Sequence, residues 1–118
     1  MKKIRTVITY GNYFHDFFAL QPPKVREKIM KVLDIIEHLD RIPSTYLKII
    51  DNSDGLYEVR VQLGNNIFRV FCFFDGNHFV VLLTGFQKKT QKTPHIEIEK
   101  AKKLMKQYFK EKKGEKRK

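Results

Sequence analysis

Three basic residues, Arg60, Arg69 and Lys88, fall at spacings that would let them bind an anion together. The alternation of apolar and polar side chains predicts three β-strands across residues 56–86, and an extension of the third strand reaches Lys88. Tight hairpins between these strands would place all three cations on one face of a sheet. Because like charges on adjacent strands repel each other, the arrangement favours a bound anion such as a phosphate.

The hairpin between the first two strands leaves two registers open. With Gly64-Asn65 as a two-residue loop, Arg60 lies opposite Arg69. With Asn65-Asn66 as the loop, Arg69 moves by one residue pair, and the two arginines remain near neighbours. Glu58 shares their face and offers Arg69 a purely structural partner, which a mid-strand arginine needs.

The Asp-Gly-Asn-His string at residues 75–78 predicts a second hairpin, again with a two-residue loop. That loop would place Phe79, Val81 and Leu83 on the core face of the sheet. It would also gather four apolar residues on the cationic face: Phe71, Phe73, Val80 and Leu82. These residues need a cover, and a last helix that starts at Thr93-Pro94 could supply it.

The chain is strongly basic, with 118 residues and a formal net charge of +11. Residues 110–118 hold six basic and two acidic side chains, contribute +4 and leave +7 on the rest. A basic domain with an aromatic-rich sheet points first to nucleic acid, then to an acidic protein and then to an anionic membrane. The length predicts one domain over residues 1–112, and the composition predicts a basic disordered tail over residues 113–118.

Other function classes find little support in the sequence. No apolar run approaches a membrane span and no signal-peptide core follows Met1, so we expect a cytoplasmic protein with no membrane partner. Cys72 falls within a strand pattern and is interpreted as a small buried apolar residue. The histidines lack metal-ligand spacing, so we expect no metal and no other cofactor. They are His15, His38, His78 and His95.

The N-terminal half supplies a strand and an amphipathic helix. Residues 4–9 predict the strand, and Pro22-Pro23 opens the helix, where proline is tolerated in the first turn. Its apolar stripe follows helical spacing: Val25, Ile29, Val32, Leu33, Ile36 and Leu39. Residues 13–20 are ambiguous, with a short helix as one interpretation, and residues 46–50 predict a short turn.

Residues 55–60, residues 66–70 and the string Gly-Phe-x-Lys-Lys-Thr-x-Lys-Thr-Pro at residues 85–94 resemble phage-related HigB-type toxins of the RelE/ParE superfamily. The similarity covers nearly the whole chain through the last helix, and the last string is its most specific part. The resemblance implies an α+β fold of the RelE-like microbial RNase type. Such a fold has a small antiparallel β-sheet, an N-terminal helical hairpin and a C-terminal helix.

The same resemblance implies the toxin of a type II toxin–antitoxin system. Such a toxin is an mRNA interferase, an endoribonuclease that cleaves messenger RNA on the ribosome and so inhibits translation. The implied partners are ribosome-bound messenger RNA and a HigA-like antitoxin with a helix-turn-helix domain. The implied chemistry is metal-independent attack of a ribose 2′-hydroxyl on its adjacent phosphate.

On this basis each candidate residue receives a role. Arg69 and Arg60 would clamp the phosphate, because guanidinium groups match its oxygens and stay charged. Lys88 would transfer a proton, because an ammonium pKa can fall among neighbouring cations. The residues expected to bind substrate are two lysines that contact backbone phosphates and two aromatic residues that stack a base: Lys89, Lys92, Phe71 and Phe86.

Two other functions remain open. A ParE-like inhibitor of DNA gyrase would share the fold without nuclease chemistry. A non-catalytic basic nucleic-acid-binding module would need only the +7 charge of the folded part. The paired arginines and the lysine string at residues 88–92 favour cleavage over gyrase inhibition.

Overall fold

A five-stranded mixed β-sheet organises the protein, in the order β1-β5-β4-β3-β2. The computed structural model describes residues 2–89 and 92–116. Its strands are β1 (Thr6–Thr9), β2 (Leu47–Ile49), β3 (Tyr57–Leu63), β4 (Asn66–Asp75) and β5 (Phe79–Lys88). Its helices are α1 (Tyr13–Ala19), α2 (Pro23–His38) and α3 (His95–Lys116). The predicted α+β class is confirmed, with two helices before the main strands and one after them.

The sheet differs from the expected all-antiparallel sheet at its first edge. β1 pairs with β5 in parallel, with Thr6 beside Phe79 and Thr9 beside Leu82, while β2 to β5 pair antiparallel. The other edge also differs, because Leu47–Ile49 form strand β2 where a short turn was expected.

The first two helices cover one face of the sheet. The apolar stripe of α2 is buried at Val25, Ile29, Val32, Leu33 and Ile36, while Leu39, the last residue of the predicted stripe, is more than a third exposed after the helix ends. α1 adds Phe14 and Phe17 to the same core. The sheet contributes a row of mostly β-branched residues to it: Val59, Val61, Val70, Cys72, Val80 and Leu82.

The last helix covers the opposite face. Ala101 and Met105 of α3 pack on a second core formed by Leu56, Phe71, Phe73, Val81 and Leu83. The prediction that Phe71 and Phe73 share the cationic face and need a cover is therefore confirmed. The prediction for β5 is wrong, because Val80 and Leu82 face the first two helices, whereas Val81 and Leu83 face α3.

The length of the second hairpin loop explains this exchange of faces. Asp75 pairs with Phe79, so the loop holds three residues, Gly76-Asn77-His78, instead of two. Gly76 takes a φ of +65°, the left-handed conformation that three-residue hairpins use. A one-residue change in loop length moves every following side chain to the opposite face of a strand.

A β-bulge then reverses this exchange of faces for the rest of β5. Val70 pairs with Gly85 and Cys72 with Leu82, so β5 holds one extra residue between these pairs. Such an extra residue shifts the alternation by one position. Beyond the bulge, Arg69 pairs with Phe86 and Ile67 with Lys88. Lys88 therefore lies on the face of Arg69, as predicted. The prediction assumed a two-residue loop and no bulge, and both assumptions were wrong.

We expect Gly85→Ala to destabilise the fold by about 1–3 kcal/mol, because the added methyl group would overpack the core beside the bulge. A Cβ at this position would lie 2.5 Å from Cδ2 of Phe17. Urea unfolding followed by circular dichroism measures the change. Gly114→Ala is the matched control, since a Cβ there meets nothing within 4 Å, and Phe17→Leu should partly restore the Gly85→Ala variant. Equal stability of Gly85→Ala and the parent would contradict the close packing.

α3 continues beyond the domain boundary predicted at residue 112. Residues 113–116, which we assigned to a disordered tail, belong to this helix, and residues 117–118 lie outside the described residues. Asp75 anchors this part of the helix, because its Oδ2 accepts a hydrogen bond from Tyr108 Oη and pairs with Lys112 Nζ, both at 2.6 Å. Within residues 2–89 and 92–116, no helix combines the length and apolar character that a membrane crossing requires.

Candidate functional site

Arg60 and Arg69 lie directly opposite each other on β3 and β4. Leu63 pairs with Asn66, so Gly64-Asn65 is the hairpin loop, and Gly64 adopts the left-handed φ of +61°. Of the two registers that the sequence leaves open, the structure therefore has the one with the closest arginines. This hairpin places two guanidinium groups side by side where the charges repel each other.

Glu58 lies between the two arginines, and its negative charge offsets part of the repulsion between them. Its Oε2 is 3.6 Å from Arg69 Nε and its Oε1 is 3.9 Å from Arg60 Nε. Glu58 is 8% exposed and Arg69 is 5% exposed, so the pair is largely withdrawn from water. The structural partner proposed for Arg69 is thus present. One carboxylate serves two guanidinium groups, which leaves the cluster with an excess of positive charge.

The arginines are also incompletely hydrogen-bonded. Arg69 Nη1 donates to the Phe68 carbonyl at 3.0 Å, and Arg60 Nη1 donates to the Ser44 carbonyl at 3.3 Å. Within the described part of the chain, the buried Nε atoms of both arginines have no hydrogen-bond partner. Buried polar groups usually find a partner, and exceptions often mark a functional position. Both Nε atoms lie within 4 Å of the Glu58 carboxylate but beyond hydrogen-bond distance, so this carboxylate does not fully satisfy either guanidinium, and the excess positive charge of the cluster can attract an anionic ligand.

Lys88 lies at the edge of this cluster, and the charges of the cluster affect its pKa. Its pKa is lowered from the ordinary value of 10.5, first by partial burial and next by the positive charge of Arg69. Arg60 and Lys48 lower this pKa further, while Glu58 acts in the opposite direction. Burial also lowers the pKa of the Arg69 guanidinium, but an arginine stays protonated in proteins. Lys88 is therefore the cation of this cluster best suited to lose a proton.

Lys48 is a site residue that the sequence analysis missed. It pairs with Glu58 across β2 and β3 and so shares the face of the arginines. Its strand is only three residues long, with Leu47 buried and Lys48 exposed. An alternation this short gives too weak a signal to separate a strand from a turn.

A cavity of about 320 Å³ opens beside the arginines. It lies where β3 runs on past the end of β2, because the last pair of those strands joins Leu47 to Val59. Residues of α2, the segment before β2 and the adjacent strands line it: Lys28, Thr45, Tyr46, Arg60, Val61, Gln62 and Arg69. A recess with two arginines on its wall can hold a ligand larger than a single anion.

The expected substrate-binding residues have separate locations. Lys89 and Lys92 are exposed after β5, and Thr90 and Gln91 between them lie outside the described residues. Phe86 is partly buried and packs against Phe71, with ring centroids 5.5 Å apart. Phe71 itself is fully buried beneath α3. Stacking of a base on Phe71 stays a prediction, and in this structure its ring presents no face to a ligand.

The Gly-Phe-x-Lys-Lys-Thr-x-Lys-Thr-Pro string reaches the site at its far end as well. Thr93 donates a hydrogen bond from its hydroxyl to Glu58 Oε2 at 3.4 Å. The segment before α3 is therefore connected to the carboxylate that holds both arginines.

The other candidate groups lie away from this cluster. Cys72 is fully buried and burial raises its thiol pKa, in agreement with its interpretation as an apolar core residue. Asp34, Glu37 and His38 bring ligand atoms within 4.8 Å of one another near the end of α2. Glu37 Oε2 already accepts the Val7 N–H at 2.9 Å and pairs with Lys3 at 3.3 Å. This group therefore joins α2 to the N-terminal segment.

Comparison with known proteins identifies a family similarity that includes the whole cluster. The family described as "Phage derived protein Gp49-like (DUF891)" matches residues 16–106, which is more than half of the 118 residues. The match includes α2, the four antiparallel strands and the first half of α3. No curated protein matches the chain.

Proposed function

The chain belongs to the family of phage-derived Gp49-like proteins, a toxin-like family, and from this premise we propose that it is the toxin of a type II toxin–antitoxin system. We assign it to the HigB type of the RelE/ParE superfamily and propose that it cleaves messenger RNA on the ribosome. One observation carries the nuclease assignment: two opposed arginines line a cavity and share a single carboxylate, so the cluster keeps an excess of positive charge.

The proposed reaction is attack of a ribose 2′-oxygen on the neighbouring phosphorus. The 2′-hydroxyl gives its proton to a base, the bond from phosphorus to the 5′-oxygen breaks, and the 5′-oxygen leaves as a hydroxyl after protonation. The products are a 2′,3′-cyclic phosphate and a free 5′-hydroxyl. Arg69 and Arg60 stabilise the negative charge that develops on the phosphoryl oxygens, because fixed cations in a partly dry site act strongly on that charge.

Lys88 is the proposed base. A base works best when its pKa lies near the working pH, and both burial and the neighbouring cations lower the pKa of Lys88 toward that range. Lys88 pairs with Ile67 next to the Arg69–Phe86 pair, so its amine projects from the same face as the guanidinium. Proton transfer and charge stabilisation can therefore act on one phosphate.

The cleavage rate is expected to rise with pH and to level off below pH 10.5, the ordinary pKa of lysine. The lowered pKa means that the neutral amine forms at a lower pH than for a free lysine. Single-turnover cleavage of ribosome-bound message across a pH series measures this inflection. Lys88→Arg keeps the charge but does not titrate in this range, so its profile should lack the inflection. A rate that falls with pH in the parent would instead make Lys88 the acid.

The surrounding charge supports association with the ribosome. Excluding residues 110–118, the chain carries +7, and the exposed Lys89 and Lys92 extend the positive surface beyond the arginines. A basic surface increases the rate of encounter with a polyanion, and added salt weakens this effect. We assign Lys89 and Lys92 to contacts with backbone phosphates on this basis.

A HigA-like antitoxin with a helix-turn-helix domain is the proposed protein partner. Phe71, Phe73, Val80 and Leu82 offer it no apolar anchor, because all four residues are buried in the two cores. Charge then dominates the attraction, and an acidic segment of the antitoxin can either cover the arginine pair or occupy the surface beside it. The second mode needs no matched set of carboxylates and is the one we propose.

In vitro translation with primer extension on the message tests the proposed function. Cleavage within codons only when ribosomes are present is the expected result. Inhibition of DNA supercoiling by gyrase without message cleavage would instead assign the chain to the ParE-like inhibitors. Binding to RNA or DNA with neither effect would leave a non-catalytic basic module.

A further inference from the structure

The cavity beside the arginines is lined by more kinds of side chain than a bound phosphate would need. A phosphate needs donors and positive charge, which Arg60 and Arg69 already supply. The same cavity is also lined by an aromatic residue, an amide and a hydroxyl, namely Tyr46, Gln62 and Thr45. Its volume of about 320 Å³ lies at the lower end of the range of roughly 300–1,000 Å³ typical of small-molecule sites.

Tyr46 is held in place by its own backbone. Its N–H donates to the Pro43 carbonyl at 2.9 Å, and its carbonyl accepts the Arg60 N–H at 2.8 Å. The side chain is partly buried against the core under the first two helices. The backbone of Tyr46 is therefore fixed to the residue that would contact the phosphate, and its partly buried side chain lines the cavity together with Arg60.

We propose that this cavity binds the nucleoside next to the cleaved phosphate, with its base stacked on Tyr46 and its edge contacted by Gln62. The inference rests on the proposed function and adds a base-binding subsite to it. Single-stranded RNA is commonly recognised by stacking of splayed bases on aromatic rings and by hydrogen bonds to their edges. Gln62 Nε2 already donates one hydrogen bond to the Gly64 carbonyl at 3.1 Å, so its second N–H and its side-chain oxygen are left for such an edge.

Lys28 of α2 adds a third cation to the lining of the same cavity, besides Arg60 and Arg69. A nucleotide in the cavity therefore lies near positive charge from a helix as well as from the strands. This charge suits the phosphates of one RNA strand.

Isothermal titration of the purified chain with inorganic phosphate and with the four nucleoside 3′-monophosphates, at one fixed salt concentration, tests the subsite. At least one nucleotide should bind more tightly than phosphate. Tyr46→Leu should lower the affinity for that nucleotide by about tenfold or more, the effect of losing one base–aromatic stack. It should leave the affinity for phosphate unchanged. Tyr46→Phe keeps the ring and should bind nucleotides as the parent does. Tyr13→Leu, at an exposed tyrosine of α1 outside the cavity lining, is the matched control.

The possible results separate the subsite from the proposed function. If phosphate binds and no nucleotide binds more tightly, the subsite is wrong and the arginine site stands. If neither phosphate nor any nucleotide binds, the arginine site fails together with the subsite. Should Tyr46→Leu not fold, Gln62→Ala at an exposed position replaces it. It should change the relative affinities of the four nucleotides, and unchanged affinities would overturn the assignment.

Discussion

Arg69→Ala is expected to lower the rate of message cleavage by about a hundredfold or more, the typical cost of removing one preorganised donor from a charged transition state. Arg69 lies opposite Arg60, and its side chain is almost fully buried. No other described cation can take its position, because Lys88 approaches from the neighbouring strand and Lys48 from the far edge. Single-turnover cleavage of ribosome-bound message by the purified variant measures the effect.

Loss of activity through unfolding must be separated from loss of the charge. Glu58 would keep Arg60 at 3.9 Å and the Thr93 hydroxyl at 3.4 Å, so we expect Arg69→Ala to remain folded. The double variant Arg69→Ala/Glu58→Gln also removes the charge of the carboxylate that loses its closer cationic partner. If this variant recovered the parent rate, the defect of Arg69→Ala would come from the unpaired charge. Arg41→Ala, at an exposed arginine, should behave as the parent does.

The neighbouring arginines could be predicted from the sequence because local rules limit the register. Gly and Asn favour a two-residue loop, and the apolar alternation of both flanking strands fixes which residues share a face. Arg60 and Arg69 are near neighbours in both registers that the sequence allows, and the structure selects the one in which they pair directly. Glu58 follows from the same alternation, and its ion pair with Arg69 was foreseen as a structural alternative.

The third strand could not be predicted in the same way. The residues of its hairpin allow either a two-residue or a three-residue loop, and these place its side chains on opposite faces. Only packing decides between them, since Val80 and Leu82 meet the first two helices in the three-residue form. The bulge before Gly85 has no local signal apart from that glycine, which must remain small beside Phe17.

The cavity was beyond sequence reasoning because four separate segments form it. Besides the arginines of β3 and β4, Lys28 comes from a helix, Tyr46 from the segment before β2 and Gln62 from β3. Each residue has an ordinary interpretation in its own segment, as a solvated lysine, a turn tyrosine or a strand glutamine. Their proximity depends on β2, which pairs for only three residues and leaves the rest of β3 open.

Phe71→Ala is expected to destabilise the protein by about 3–5 kcal/mol, the usual cost of truncating a large buried aromatic residue. Phe71 is completely buried, packs against Phe86 and belongs to the core beneath α3. A loss of this size is a large part of the roughly 5–15 kcal/mol by which domains are stable. Urea unfolding followed by circular dichroism measures it.

Phe71→Leu separates a structural role of this residue from a base-stacking role. Leucine keeps most of the buried apolar volume, so we expect a much smaller loss of stability than in Phe71→Ala. If Phe71 is a core residue, as its burial indicates, the folded Phe71→Leu variant should bind nucleoside monophosphates as tightly as the parent. If the variant stays stable but loses nucleotide binding, the ring contacts the base directly and the stacking surface lies under α3. In that case α3 would have to move away from the sheet before RNA could bind, because it covers Phe71 completely in this structure.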